Sequence, residues 1–281
     1  MTGIVFALVL CAALLHAVWN ALVKINGDRL IIMATIMVSQ SLIACAVLPF
    51  LEPPQGEVWH YIWASIVLHN GYYFFLIMAY RYGDFSHVYP IARGSAPLIV
   101  GFVSVVFIGE VLSDRETFSI ALIALGIISL AFTRGASRVG DAKAILFALG
   151  TGAFIAGYTI VDGLGGRLAL DVHAYTFWLF ALDGIPIAVL ALLLRRGQVV
   201  RQVQRTWKAG VFAGVASLIA YWIVIWAMTS SPIPLVSATR ETSMVFAVLI
   251  GVLFLKERLN LLRLAASIVT LAGAVLLKTS K

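Results

Sequence analysis

Ten apolar stretches alternate with short polar runs along this chain. They cover roughly residues 4–23, 31–50, 60–80, 88–108, 117–133, 143–162, 173–194, 208–229, 234–255 and 261–277. A bilayer core about 30 Å thick is crossed by ~20 helical residues, and the stretches are of that length. Apolar residues run consecutively within them instead of alternating with polar ones. That excludes barrel strands and predicts ten membrane-spanning helices. The polar punctuation predicts how several ends are finished. Ser113-x-x-Glu116 reads as a capping box ahead of the fifth span, and Asn260 as the N-cap of the tenth. Pro97 inside the fourth span predicts a kink.

Composition agrees with that pattern. The chain has 281 residues, 62% hydrophobic and only 12% charged, with mean hydropathy +1.00. A soluble domain carries about 25% charged residues, so this outer surface is built for lipid. The first stretch lacks a basic start and a clean cleavage site, and reads as a retained span rather than a signal peptide. Cys11 and Cys45 fall inside apolar spans and read as inert buried thiols, with no disulfide framework.

The net charge of +7 raises the question of nucleic acid, and its distribution answers it. Lys and Arg gather in short loops, as in Arg195, Arg196, Arg201, Arg205 and Lys208, which is the look of cytoplasmic membrane loops. Fourteen Lys and Arg fall on the side of the loops after spans 1, 3, 5, 7 and 9, and four on the other side. The positive-inside rule then places those five loops in the cytoplasm and both termini outside the cell (inner) membrane.

Displaced by 147 residues, the sequence meets itself. Arg93 falls on Arg240, Glu110 on Glu257, Leu112 on Leu259 and Gly126 on Gly273. Slightly smaller offsets bring Gln40 to Asp183 and Trp19-Asn20 to Tyr158-Thr159. The chain therefore divides into residues 1–133, a joining loop 134–142, and residues 143–281. Each unit holds five spans. Five is odd, so the second unit enters the membrane from the opposite side, as in the inverted repeats of secondary transporters.

These features resemble the EamA family of the drug/metabolite transporter superfamily over essentially the whole chain. The resemblance is carried by the doubled five-span unit, by Gly109-Glu110-x-Leu112 and Lys256-Glu257-x-Leu259, and by the small-residue last span of each unit. The run His16-Ala17-Val18-Trp19-Asn20-Ala21-Leu22-Val23-Lys24 and the stretch Pro90-Ile91-Ala92-Arg93-Gly94 are similar to one bacterial branch. The resemblance implies an all-α integral membrane fold of two inverted repeats, with a central cavity lined by spans 1–4 and 6–9 and with spans 5 and 10 peripheral. It implies transport and leaves the cargo open.

Charges within the spans are the best clues to chemistry, because each costs about 2.5–3.5 kcal/mol to insert at mid-helix. Arg93 and Arg240 lie ~8–9 Å below their own membrane faces at 1.5 Å rise per residue. Their spans enter from opposite sides, which predicts one arginine on each side of the midplane. One reading is an anion clamp, since a guanidinium fork matches a carboxylate or phosphoryl group in two bonds. The other is internal pairing, Arg240 with Asp183, or snorkelling to the interface.

Ser237 shares a helix face with Arg240 and Glu241, and a cavity-facing pair of opposite charge would suit a zwitterion. Asp183 reads either as a proton or cation coupling site or as a structural ion pair. Asp162, at the expected end of span 6, reads as interfacial. His69 and Asn70 are polar at membrane depth and read as site residues or as helix-to-helix hydrogen bonds. Tyr72, Tyr73 and Tyr221 read as lipid-facing or interface anchors. Trp19, Asn20, His16 and, through the repeat, Gln40 and Tyr158 complete the candidates for a cavity lining. Pro90, Gly94, Pro97 and Gly101 read as packing or as a hinge, and Glu110 and Glu257 as structural.

The sequence has no Cys/His metal cluster, no P-loop and no hydrolase signature, so neither cofactor nor metal is expected. The leading expectation is a secondary transporter, not an enzyme. Its cargo would be a small anionic or zwitterionic metabolite: an amino acid, a carboxylate or an organophosphorus compound. Efflux of lipophilic cations is the alternative, and an intramembrane aspartyl enzyme a distant one. The expected partners are the cargo and the bilayer, with no nucleic acid, in a monomer or homodimer.

Overall fold

The structure, a computed structural model, describes residues 1–25, 28–132, 142–254, 256 and 261–279. All the regular secondary structure among the described residues is helical. In order it comprises α1 (Gly3–Ile25), α2 (Arg29–Val47), α3 (Val58–Tyr82), α4 (Phe85–Val103), α5 (Asp114–Ser129) and α6 (Ala142–Leu168). Then follow α7 (Val172–Arg195), α8 (Val199–Ser230), α9 (Ile233–Arg240), α10 (Ser243–Leu253) and α11 (Leu261–Thr279). Together they supply ten segments long and apolar enough to cross a membrane. The loop expected at 134–142, Glu257 and the expected cap Asn260 lie outside the described residues, apart from Ala142 at the start of α6.

Local chemistry accounts for several ends. Asp28 caps α2 by accepting hydrogen bonds from the backbone N–H groups of Leu30 and Ile31. Ser113 and Glu116 form the expected reciprocal box at the start of α5. The fourth span runs through Pro90 and Pro97 and widens into a π-turn at Ser104–Ile108. Gly109 then closes it in a left-handed conformation, φ 79°, which suits a residue without a Cβ.

The ninth span differs from expectation. It is two helices, α9 and α10, parted at Glu241 and Thr242. Around the break the backbone N–H groups of Glu241, Thr242, Met244 and Val245 donate to carbonyls three residues back. The hydroxyls of Thr239 and Thr242 donate to the carbonyls of Leu235 and Thr239, each at 2.7 Å. Such side-chain bonds compete with the helical ladder and tighten it locally.

The helices pack with an internal exchange symmetry. α1 lies on α8 as α6 lies on α3, and α4 lies on α6 as α9 and α10 lie on α1. α2 meets α7, and α5 meets α11. Swapping the first five spans with the last five leaves this set unchanged. At the α5–α11 contact the swap holds residue by residue. A Cβ on Gly126 would meet Thr270 and Ala266, whereas one on Gly273 would meet Ile123 and Ser119. These partners are themselves 147 positions apart.

The outside of the bundle is apolar, with Leu42, Val67, Phe102, Leu193 and Val275 among its exposed side chains. Cys11 and Cys45 belong to this surface. They are free and exposed to the exterior of the bundle, so the expectation of thiols buried in protein is corrected: they face lipid. Within the bundle, one end is filled by a dry cluster that includes Val5, Val9, Val58, Ile62, Val224, Met228 and Ile233. A polar centre lies beyond it.

Candidate functional site

The centre is built from α4, α9 and the break between α9 and α10. Arg93 and Arg240 are each 3% exposed, and Glu241 is 0% exposed. Nε of Arg93 lies 2.8 Å from Oε2 of Glu241, and Nη2 of Arg240 lies 3.3 Å from Oε1. Arg93 also donates through Nη2 to the Ser243 hydroxyl at 3.2 Å, and Arg240 through Nη2 to the Thr159 hydroxyl at 3.4 Å. Each guanidinium carbon stands near a tyrosine ring, Arg93 at 5.9 Å from the Tyr89 centroid and Arg240 at 6.0 Å from Tyr158.

Buried charges persist only when paired. Here one carboxylate serves two guanidiniums, so the cluster keeps one net positive charge. It also keeps a spare donor, because the Nε–H of Arg240 has no hydrogen-bond acceptor. The two arginines converge on one point. Their side chains reach one carboxylate, supplied by the break in the ninth span, and Arg240 pairs with Glu241 rather than with Asp183.

A cavity of about 100 Å³ adjoins this cluster. Of the candidates read from sequence, its lining includes Trp19, Asn20, Gln40, His69, Tyr158, Asp183, Arg93 and Arg240. The remaining lining comes from α1–α4, α7 and α8, and none of the lining from α5 or α11. Three candidates lie elsewhere. Glu241 is behind the arginines. Ser237 is fully buried with its hydroxyl unpartnered. Asn70 turns back on its own helix and donates to the Ile66 carbonyl at 2.8 Å.

Asp183 is 8% exposed, its Oδ1 has no hydrogen-bond partner, and no ion pair reaches it among the described residues. Trp19 likewise brings an unpartnered Nε1–H to the lining. Tyr72, Tyr73 and Tyr221 also line the cavity, which corrects their reading as lipid-facing anchors. They were missed because an aromatic on a uniformly apolar span carries no periodic signal of which face it occupies.

Asp162 is corrected as well. It is 0% exposed, because α6 runs on to Leu168 rather than ending at this residue. Its carboxylate accepts hydrogen bonds from the Tyr175 hydroxyl at 2.8 Å and from the Tyr221 hydroxyl. The basic residue that does finish α6 is Arg167. It donates to the carbonyls of Met228 at 2.8 Å and Ser231 at 2.9 Å, and pairs with Glu110 at 2.7 Å. Glu110 in turn accepts from the backbone N–H of Ile233, where α9 begins. This latch ties the ends of four spans together over the dry cluster.

At the other end of the bundle Arg195 pairs with Asp28 at 2.6 Å. Partial burial pushes the Asp28 carboxyl up, but the hydrogen bond from Arg195, with those from the Leu30 and Ile31 amides, outweighs this and holds it below its usual range. A larger hollow of about 240 Å³ lies at the latch end between the α2–α3 and α6–α7 loops. None of the buried charged groups lines it, whereas Arg93, Asp183 and Arg240 line the central cavity.

Ten apolar helices around a buried polar centre define a multi-pass α-helical membrane protein. The model of the EamA-like transporter family matches residues 142–279. The second five-span unit belongs to that family, a family of membrane transporters of the drug/metabolite superfamily. Among the solved structures similar to the chain is a crystal structure with 15% identity and a TM-score of 0.78 over 100% of both chains. At that identity the likeness shows the fold alone. No curated protein matches the chain in sequence.

Proposed function

We propose that the chain is a secondary transporter of a small anionic or zwitterionic metabolite, working by alternating access. The observation that carries this reading is the buried Arg93–Glu241–Arg240 cluster beside a polar cavity. Two guanidiniums on one carboxylate attract a further negative group, such as a carboxylate or phosphoryl oxygen, and retain N–H donors to hold it.

Trp19, Asn20, Gln40, His69 and Tyr158 bound the space around that group, and Asp183 supplies a site for a cation. The exchange symmetry of the packing supports the access mechanism, because each five-span unit can then adopt the arrangement of the other. The cavity lining includes the late turns of α1 and the early turns of α2, while the latch and dry cluster seal the opposite end. With the charge bias of the loops, the state described is closed outward and faces the cytoplasm. One chain supplies the whole lining, so a monomer suffices and a homodimer would carry two cavities.

Thermal stabilisation of the purified protein tests this reading, because a ligand that binds only the folded state raises Tm by mass action. A panel of carboxylates, amino acids, phosphorylated compounds and lipophilic cations is compared on wild type, Arg93→Met and Arg240→Met. Stabilisation by acids or zwitterions that both substitutions abolish is the expected result. Stabilisation by cations alone, indifferent to both arginines, would overturn it in favour of lipophilic-cation efflux.

A further inference from the structure

Asp183 is the one carboxylate in the cavity lining, and no ion pair reaches it among the described residues. Its Oδ1 is buried without a partner. The polar groups packed around this turn of α7 are already engaged. Tyr73 donates to Sδ of Met37 at 3.3 Å, and Ser41 to the Phe180 carbonyl at 2.8 Å. Both Met37 and Ser41 press on Gly184, the next residue. The Tyr221 hydroxyl is used by Asp162.

The arginines and Asp183 lie on different walls. Arg93 and Arg240 come from α4 and α9 and share Glu241. Asp183 comes from α7, which packs on α2 and α8. The cavity is therefore bipolar, with one net positive charge on one wall and one negative charge on the other. A simple anion would satisfy the arginines and leave Asp183 uncompensated in a medium where an unpaired charge is costly. A simple cation would do the reverse.

We infer that Asp183 is a second subsite that takes the ammonium group of the cargo, which is a zwitterion with its acid group on Arg93 and Arg240. This rests on the transporter reading above and names the cation that Asp183 holds as part of the cargo. Tyr73 and Phe180 also face the cavity, and aromatic faces favour an ammonium group beside them. The cavity of about 100 Å³ leaves room between the two walls for a small molecule.

Matched compounds that differ by one amino group test the inference. Glycine, β-alanine, 4-aminobutyrate and taurine are titrated against the full-length protein beside acetate, propionate, butyrate and ethanesulfonate, with thermal stabilisation as the readout. Apparent affinity of at least one zwitterion should exceed that of its desamino partner by about tenfold or more, the worth of a charge-assisted hydrogen bond. Asp183→Asn and Asp183→Ser should abolish that difference while leaving the response to the acid partner and its dependence on Arg240.

Equal stabilisation by the desamino acids, still lost in Arg240→Met, would overturn the inference and leave the transporter reading standing. An amino-group preference that survives both Asp183 substitutions would also overturn it. So would a panel in which no zwitterion stabilises the protein. Stabilisation by amines lacking an acid group, indifferent to Arg93→Met and Arg240→Met, would remove both readings. The wild-type comparison needs no variant, so poor folding of an Asp183 substitution cannot mask the result.

Discussion

At the scale of single residues, Glu241 holds the centre together. It is the only acidic side chain that reaches either membrane arginine among the described residues. Removing one member of a buried ion pair costs about 3–5 kcal/mol, because the remaining charge is left uncompensated. Glu241→Gln strands two guanidiniums together, so its thermal or denaturant stability should fall by that order. Adding Arg93→Met and Arg240→Met should recover most of the loss, and a triple variant no more stable than Glu241→Gln would contradict the pairing. Asp28 makes a smaller contribution, from a partly exposed position, with a definite sign. Its folded pKa lies below the unfolded value of about 3.9, so its stabilisation is present above that pH and is lost as pH falls through the folded value. Asp28→Asn should flatten the acid limb of the stability curve and leave the neutral region less affected.

Arg93 and Arg240 were legible as candidates because polar residues stand out against apolar spans and because they fall in one register. That both end on Glu241 was not legible, since helical spacing gives the direction of a side chain but not the neighbour it meets. Asp162 was misread for a related reason. Its span was closed at the acidic residue, whereas Arg167 extends the helix by turning back to carbonyls of the α8–α9 connection.

At the scale of elements, the spans themselves were readable to within a few residues at most ends, because length and hydropathy alone decide what crosses a bilayer. The main departures are the eighth span, which begins earlier at Val199, and the ninth, split at Glu241. An apolar pattern on both sides of Arg240 hid the split. Its only trace in sequence is the polar run Thr239–Ser243, whose hydroxyls satisfy backbone carbonyls. The break puts an acidic side chain at the junction of two helices, where a discontinuous span builds a site. The latch at Arg167 and Glu110 acts on other elements, α6, α9 and the end of the fourth span. Arg167→Ala should loosen the end it seals. A cysteine at Ala12, 1% exposed in the dry cluster, should then react faster with a water-soluble thiol reagent, in a background with Cys11 and Cys45 replaced by Ser. An unchanged labelling rate would show that the apolar packing seals the end without the latch.

At the scale of the whole molecule, the repeat was visible as a register of 147 residues, and the packing uses the same register where Gly126 and Gly273 meet their partners. The cargo was not visible at this scale, because the fold is shared by carriers of many compounds and only the cavity's charges discriminate among them. Transport through that cavity is what the proposed function requires. Flux into proteoliposomes of the compound that most stabilises the protein measures it directly, with wild type beside Arg93→Met and Arg240→Met at matched, folded amounts. Saturable flux in wild type that falls to the level of empty vesicles in both variants is the predicted result. Flux that persists in the variants, or wild-type flux no greater than that of empty vesicles, would contradict it.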